Sequence, residues 1–98
     1  MRLAGFDLPE EEISQIKTIV EHHLKKLRGL DFEFLELTLK KSQKGKVFNH
    51  EIRGRLKAEG KMLSADFSDY NVFKAVSSVL EKIVHETEHL RRTSRQAV

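Results

Sequence analysis

A chain of 98 residues, 39% hydrophobic and 34% charged, suffices for one compact domain with a modest core and leaves little for a second lobe. No apolar run approaches a transmembrane helix or a signal-peptide core, so a membrane span is excluded and a cytoplasmic location is expected. The absence of cysteine excludes disulfides, thiolate catalysis and zinc-finger ligation, and the net charge of +3 is too small to define a partner without knowing where the charges lie.

The first element is a helix over residues 8–28. Asp7-Leu8-Pro9-Glu10 resembles a capping box with Pro inside the first turn. Ile13, Ile16, Ile19, Val20, Leu24 and Leu27 then recur at spacings of three and four until Gly29 offers a stop. A short extra strand at residues 1–4 is compatible with the pattern. From Leu35 the chain alternates, with Leu35, Leu37 and Leu39 on one side of a half-buried strand over residues 32–40. Phe32 and Phe34 have the wrong parity, which predicts a bulge or irregular start near Phe34-Leu35. Residues 41–46 break the alternation.

A second strand follows over residues 47–58, with Phe48, His50, Ile52, Gly54, Leu56 and Ala58 on one side and a mostly basic face on the other. Glu59-Gly60 suits a tight hairpin into a third strand that turns Leu63, Ala65 and Phe67 inward. Ser68 and Asp69 offer N-caps for a second helix over residues 69–91, whose stripe is Val72, Val76, Val79, Leu80, Ile83, Thr87 and Leu90. Residues 92–98 lack periodicity and are expected to form a flexible tail after a single domain over residues 1–91. The expected class is α+β: an antiparallel sheet, two helices on one of its faces, the other face open.

Charge is concentrated in the middle. Between residues 40 and 57 stand Lys40, Lys41, Lys44, Lys46, Arg53, Arg55 and Lys57 against one acid, Glu51. Such a cluster suits phosphate or another polyanion, and it equally suits an edge hairpin kept soluble by lysines.

One motif points elsewhere. His85-Glu86-Thr87-Glu88-His89 reads as H-E-x-x-H, two zinc-binding imidazoles one helical turn apart with a glutamate to activate water. At 100° per residue, however, both histidines point away from the stripe of the second helix. The nine residues after His89 contain no His, Asp or Glu, so no third ligand follows. A zinc hydrolase is thus a remote alternative to a solvated helix face. Glu10, Glu11 and Glu12 are explained by the helix dipole, and no Gly-rich phosphate loop, nucleophile elbow or Ser/His/Asp set is present. No catalytic residue, metal site, cofactor or small-molecule substrate is expected.

Leu63-Ser64-Ala65-Asp66, Asp69-Tyr70 and the run from Phe73-Lys74-Ala75-Val76 to Lys82-Ile83 resemble the family of ribosome hibernation-promoting factors and ribosome-associated inhibitors. The helix-one segments Ile16-Lys17-Thr18-Ile19-Val20-Glu21 and Leu24-Lys25-Lys26-Leu27 are similar to it too. The chain departs from the family pattern in a shortened first strand, in Phe73 for Tyr and Ser77 for Asp, and in HETEH where relatives often carry a basic stretch. The resemblance implies a β-α-β-β-β-α domain, similar to a double-stranded-RNA-binding domain, that binds rRNA of the small ribosomal subunit and inhibits translation in stress or stationary phase. A short-form monomer would follow.

Lys25, Lys26, Arg53, Arg55, Lys57, Lys74, Lys82, Arg91 and Arg92 are the candidate RNA-binding residues, giving sequence-independent, salt-sensitive affinity. Lys82 is the one base of the second helix that matches the family pattern residue for residue, and Lys25 and Lys26 match its basic end of the first helix. The alternatives are a generic double-stranded-RNA-binding module, whose Lys-Lys-x-Ala-Lys signature is missing, and a protein-interaction domain using Asn49, Glu51, Met62 and Ser64 on the open sheet face.

Overall fold

The computed structural model describes residues 1–27 and 31–96, with side chains described as far as His89 in the last helix. The order is β1 (Arg2–Ala4), α1 (Glu10–Leu24) with a 3-10 turn (Lys25–Leu27), β2 (Phe32–Lys44), β3 (Val47–Ala58), β4 (Lys61–Asp69) and α2 (Val72–Gln96). The four strands form one sheet in the order β1-β2-β3-β4. β2, β3 and β4 are an antiparallel meander. β1 joins parallel to β2, pairing Leu3 with Leu37, so the sheet is mixed where sequence led to an antiparallel one. The long α1 crossover between β1 and β2 permits the parallel pair.

Period-two alternation sets the faces. Leu35, Leu37 and Leu39 on β2, and Ile52, Leu56 and Ala58 on β3, are buried in one core with Ile16, Val20 and Leu27 of the first helical segment. From α2 come Val72, Ala75, Val76, Val79, Leu80, Ile83 and Val84. Both helices cover this face, and α2 lies against β3 and β4 with α1 beside it. The approach is close because β3 offers Gly54 there: a Cβ on Gly54 would stand 2.6 Å from Val79 Cγ1 and 2.8 Å from Ile83 Cδ1. Sequence alone gave Gly54 no role beyond keeping the alternation.

Local chemistry explains the ends of the elements. Glu59 and Gly60 have φ of 52° and 76°, the left-handed pair of a type I′ turn, as the sequence anticipated. The expected bulge lies between Phe32 and Phe34, where Glu33 is the extra residue opposite the Ala58/Lys57 step. Two caps differ from expectation. α1 has Pro9 at its N-cap and no side-chain cap hydrogen bond, so Asp7 does not form the capping box; the helix starts two residues later than that box requires, which makes Glu10 its first residue rather than its third. At α2 the cap is Asn71, whose Oδ1 accepts from the backbone N–H of Phe73 (3.0 Å) and Lys74 (3.3 Å). Asp69 instead closes an Asx turn by accepting from the Asn71 N–H at 2.8 Å, while Ser68 and Asp69 still belong to β4. The stop expected at Gly29 lies outside the described residues, and α2 continues as helix to Gln96.

Candidate nucleic-acid interface

The sheet register divides the predicted basic residues between two surfaces. Arg53, Arg55 and Lys57 alternate with the buried Ile52, Gly54, Leu56 and Ala58, so all three stand on the helix-free face, spaced about 6.8 Å apart along β3. Across the ladder, Arg53 faces Thr38 and Arg55 faces Glu36 on β2, while Arg53 faces Asp66 on β4. Arg2 of β1, opposite Glu36, and Lys40 of β2, opposite Glu51, share this face. Glu36, Thr38, Lys40, Glu51, Arg53 and Arg55 line one shallow depression in it.

Part of this charge is balanced internally. Glu36 sits between Arg2 (3.7 Å) and Arg55 (3.8 Å), and Lys57 reaches Glu33 at 3.4 Å. The arginines and Lys57 are substantially exposed in these pairs, so the pairs orient the side chains at little energetic gain and leave most donors to solvent. Arg53 and Lys40 form no ion pair among the described residues. These two, with the remaining donors of Arg55, are the cations the face offers to an anion, beside the carboxylates of Glu51 and Asp66.

The other candidates lie away from that face. Lys25 and Lys26 are exposed in the 3-10 turn after α1. Lys74 opens α2 and pairs with Asp69 at 3.9 Å. Lys82 bridges helix and sheet: its Nζ donates to the Asp66 carbonyl at 3.0 Å and stands 5.2 Å from the centre of the Phe67 ring. That contact gives Lys82 a structural duty which sequence did not reveal. Arg91 and Arg92 lie beyond the described side chains. The structure thus joins Arg53, Arg55 and Lys57 in one patch and sets Lys25, Lys26, Lys74 and Lys82 on the helix side.

HETEH takes the position expected of it. His85, Glu86, Glu88 and His89 are exposed, while Thr87 is buried and its hydroxyl donates to the Val84 carbonyl. Among the described residues no group of three or more His, Asp or Glu could hold a metal ion. His23, by contrast, is buried on α1. Its Nδ1–H donates to the Ile19 carbonyl at 3.0 Å, and burial, then the charges of Lys26 and His22, hold its pKa below the ordinary value of 6.5. The signal in the sequence is its spacing, three residues after Val20 and four before Leu27 on the buried stripe, which its polar neighbours His22, Lys25 and Lys26 mask.

A second surface was not legible in the sequence. β2 does not end at Lys40; it continues to Lys44, paired with β3 through Lys44 and Val47. β1 accompanies β2 only to Thr38, and β4 accompanies β3 only from His50. The hairpin end therefore extends past its neighbours, with Val47 and Phe48 about half exposed at 50% and 52%. Phe48 has the parity of the core but lies beyond its cover.

Fold and face together define a class: a β-α-β-β-β-α domain with two helices on one side of the sheet and a basic, helix-free face on the other. The solved structures it is similar to include the N-terminal domain of protein Y from Thermus thermophilus, at 14% identity and a TM-score of 0.64, with 91% of this chain and 94% of that one covered. They also include a ribosomal subunit interface protein from Coxiella burnetii, at 12% identity and a TM-score of 0.62, with 94% of this chain and 99% of that one covered. Both carry the fold that the hibernation-factor resemblance implies. No protein-family model and no curated protein matches the sequence.

Proposed function

We propose that this chain is a non-catalytic ribosome-binding protein of the hibernation-factor type. It holds rRNA phosphates of the small subunit through basic side chains and so inhibits translation in stress or stationary phase, acting as a monomer in the cytoplasm. The observation that carries this reading is the helix-free face on which Arg53, Arg55 and Lys57 stand in a row beside Lys40. The fold it shares with a protein Y domain and a ribosomal subunit interface protein supports the choice of partner. RNA held by shape and phosphates needs positioned cations and no reacting group. Lys25, Lys26, Lys74, Lys82, Arg91 and Arg92 would add contacts only to RNA that also reaches the helix side.

The test is co-sedimentation with purified bacterial small ribosomal subunits at about 50 and about 200 mM salt. The wild-type chain is expected to pellet at the lower salt and largely to remain in the supernatant at the higher. Replacing Arg53 and Arg55 by Ala removes two phosphate contacts and should make the slope of log K against log salt shallower by roughly 1.4–1.8. Protein in the supernatant at about 50 mM salt, or binding indifferent to salt, refutes the reading. A protein-interaction surface on the same face is the second reading. Exposed Phe34 and Met62, which flank Lys57 in one cross-strand row of that face, favour it, and it predicts binding that withstands salt.

A further inference from the structure

The distal β2–β3 hairpin is the feature that neither the core nor the basic sheet face accounts for. Beyond the Lys41/His50 pair it has a strand neighbour on neither side, and the remaining pairs carry the turn roughly 14 Å farther out. The molecule measures 54 × 23 × 17 Å with a radius of gyration of 14.4 Å, above the about 13 Å of a compact chain of this length. A protrusion with no fold to support is selected for something else or is a liability, since bare strand edges invite pairing.

Its composition indicates what it meets. From residue 37 to residue 50 the chain has four lysines and no acid. The register places Lys40, Ser42, Lys44, Val47 and Asn49 on the side continuous with Arg53, Arg55 and Lys57, and Lys41, Gln43, Phe48 and His50 on the other. Lys46 sits in the turn itself. Among the described residues Lys40, Lys44 and Lys46 make no ion pair, and Lys41 donates to the Asp7 carbonyl at 3.3 Å. Lys40 and Lys44 thus stand on the open-sheet side of the arm and Lys46 in its turn, while Lys41, turned back to Asp7, shares the other side with Phe48, whose ring is exposed near the tip.

We infer that the hairpin is an RNA-inserting arm: its lysines follow the phosphates of a single-stranded or looped segment while Phe48 stacks on an unpaired base. Aromatic platforms between cationic side chains are how single-stranded nucleic acid is held without sequence preference, and unstacked bases are available in loops and bulges rather than in A-form helices. A protein partner that covered Phe48 and Val47 would have to desolvate the surrounding lysines, whereas a phosphate backbone complements them. The inference rests on the ribosomal reading above and specifies which part of the chain reaches into the RNA.

The sequence contains no tryptophan, so Phe48→Trp introduces a single indole as a reporter. Its fluorescence is expected to be quenched on titration with oligo-uridine and with purified small ribosomal subunits, by stacking. Phe48→Ala should weaken binding to oligo-uridine about tenfold, and Lys44→Ala with Lys46→Ala should make the salt slope shallower by roughly 1.4. All these positions are exposed and outside the core, and far-UV circular dichroism verifies the fold. If subunits bind the wild-type chain while the three arm variants bind as wild type and the indole is not quenched, the arm inference falls and the ribosomal reading stands. If the wild-type chain binds neither subunits nor oligo-uridine, both fall. A blue shift with anionic phospholipid vesicles and no response to RNA overturns the inference in favour of a lipid surface.

Discussion

Replacing Gly54 by Ala adds one methyl group where α2 rests on β3. That methyl would lie 2.6 Å from Val79 Cγ1, 2.8 Å from Ile83 Cδ1 and 3.1 Å from Leu37 Cδ2. The first two contacts are closer than packed carbons tolerate. They come from successive turns of one helix: the far end of Ile83 can swing aside, but Val79 is held to essentially one rotamer in a helix, so either Val79 leaves that rotamer or the helix lifts. Overpacking of this kind costs about 1–3 kcal/mol. Against it stands the conformational cost of glycine inside a strand, about 0.5–1 kcal/mol. With two contacts at 2.6 and 2.8 Å the overpacking falls in the upper part of its range, about 2–3 kcal/mol, so the net loss should be about 1–2.5 kcal/mol, or a fall of roughly 4–20 °C in midpoint for a domain of this size. Urea unfolding followed by circular dichroism gives the value, with an unchanged m-value confirming that the transition is the same. Val79→Ala alone is destabilising through its cavity, yet combined with Gly54→Ala it vacates the space that the new methyl needs. The double variant should therefore be more stable than the sum of the single losses by at least about 0.5 kcal/mol. A Gly54→Ala protein within about 0.5 kcal/mol of wild type, or strict additivity with Val79→Ala, would refute the claim that contact with Gly54 sets the helix position.

Asn71→Ala removes the oxygen that accepts from Phe73 and Lys74 and should cost about 1 kcal/mol. Ser68→Ala, on an exposed β4 side chain, should cost almost nothing; the opposite order in urea midpoints would show that the cap is misassigned. His23 predicts a pH dependence. Its proton is taken up near 6.5 in the unfolded chain and only at lower pH in the folded one, so the unfolded state binds more protons in between. The associated stability is whole above about pH 6.5 and is lost as pH falls through the depressed folded value. His23→Leu should flatten the change in urea midpoint between about pH 7 and pH 5, and an unchanged profile would assign that dependence to other groups.

The sequence disclosed elements wherever one face is buried. Leu35, Leu37 and Leu39, the stripes of both helices and the Glu59-Gly60 turn each carry a local signature of their environment, and the likeness in fold to a protein Y domain and a ribosomal subunit interface protein agrees with the fold that the hibernation-factor resemblance implies. Residues 41–44 carry none, because a strand with solvent on both sides has no hydrophobic period to display, and so the arm was read as a break. Caps were misplaced where several acceptors lie in a row: Ser68, Asp69 and Asn71 are all competent, and only the length of β4 decides among them. For the proposed binding surface, composition located the cations but could not assign them to faces. Parity gave Arg53, Arg55 and Lys57 a common side, whereas the duty of Lys82 at Asp66 and Phe67 depends on how α2 crosses β4.

The strand connections also bear on the order of assembly. β2, β3 and β4 are joined by two turns of two residues each, at Gly45-Lys46 and Glu59-Gly60, so each ladder of the meander can start from a short loop and extend pair by pair. β1 must instead bring Leu3 to Leu37 across the whole of α1. Loop-closure entropy grows with the intervening chain, and non-local pairings are the slow ones. The meander is therefore the cheap nucleus and the parallel strand a late addition, bound by three residues. During synthesis β1 emerges before the strand it pairs with and must wait for it. In that interval α1 is the only structure that residues 1–27 can form by themselves.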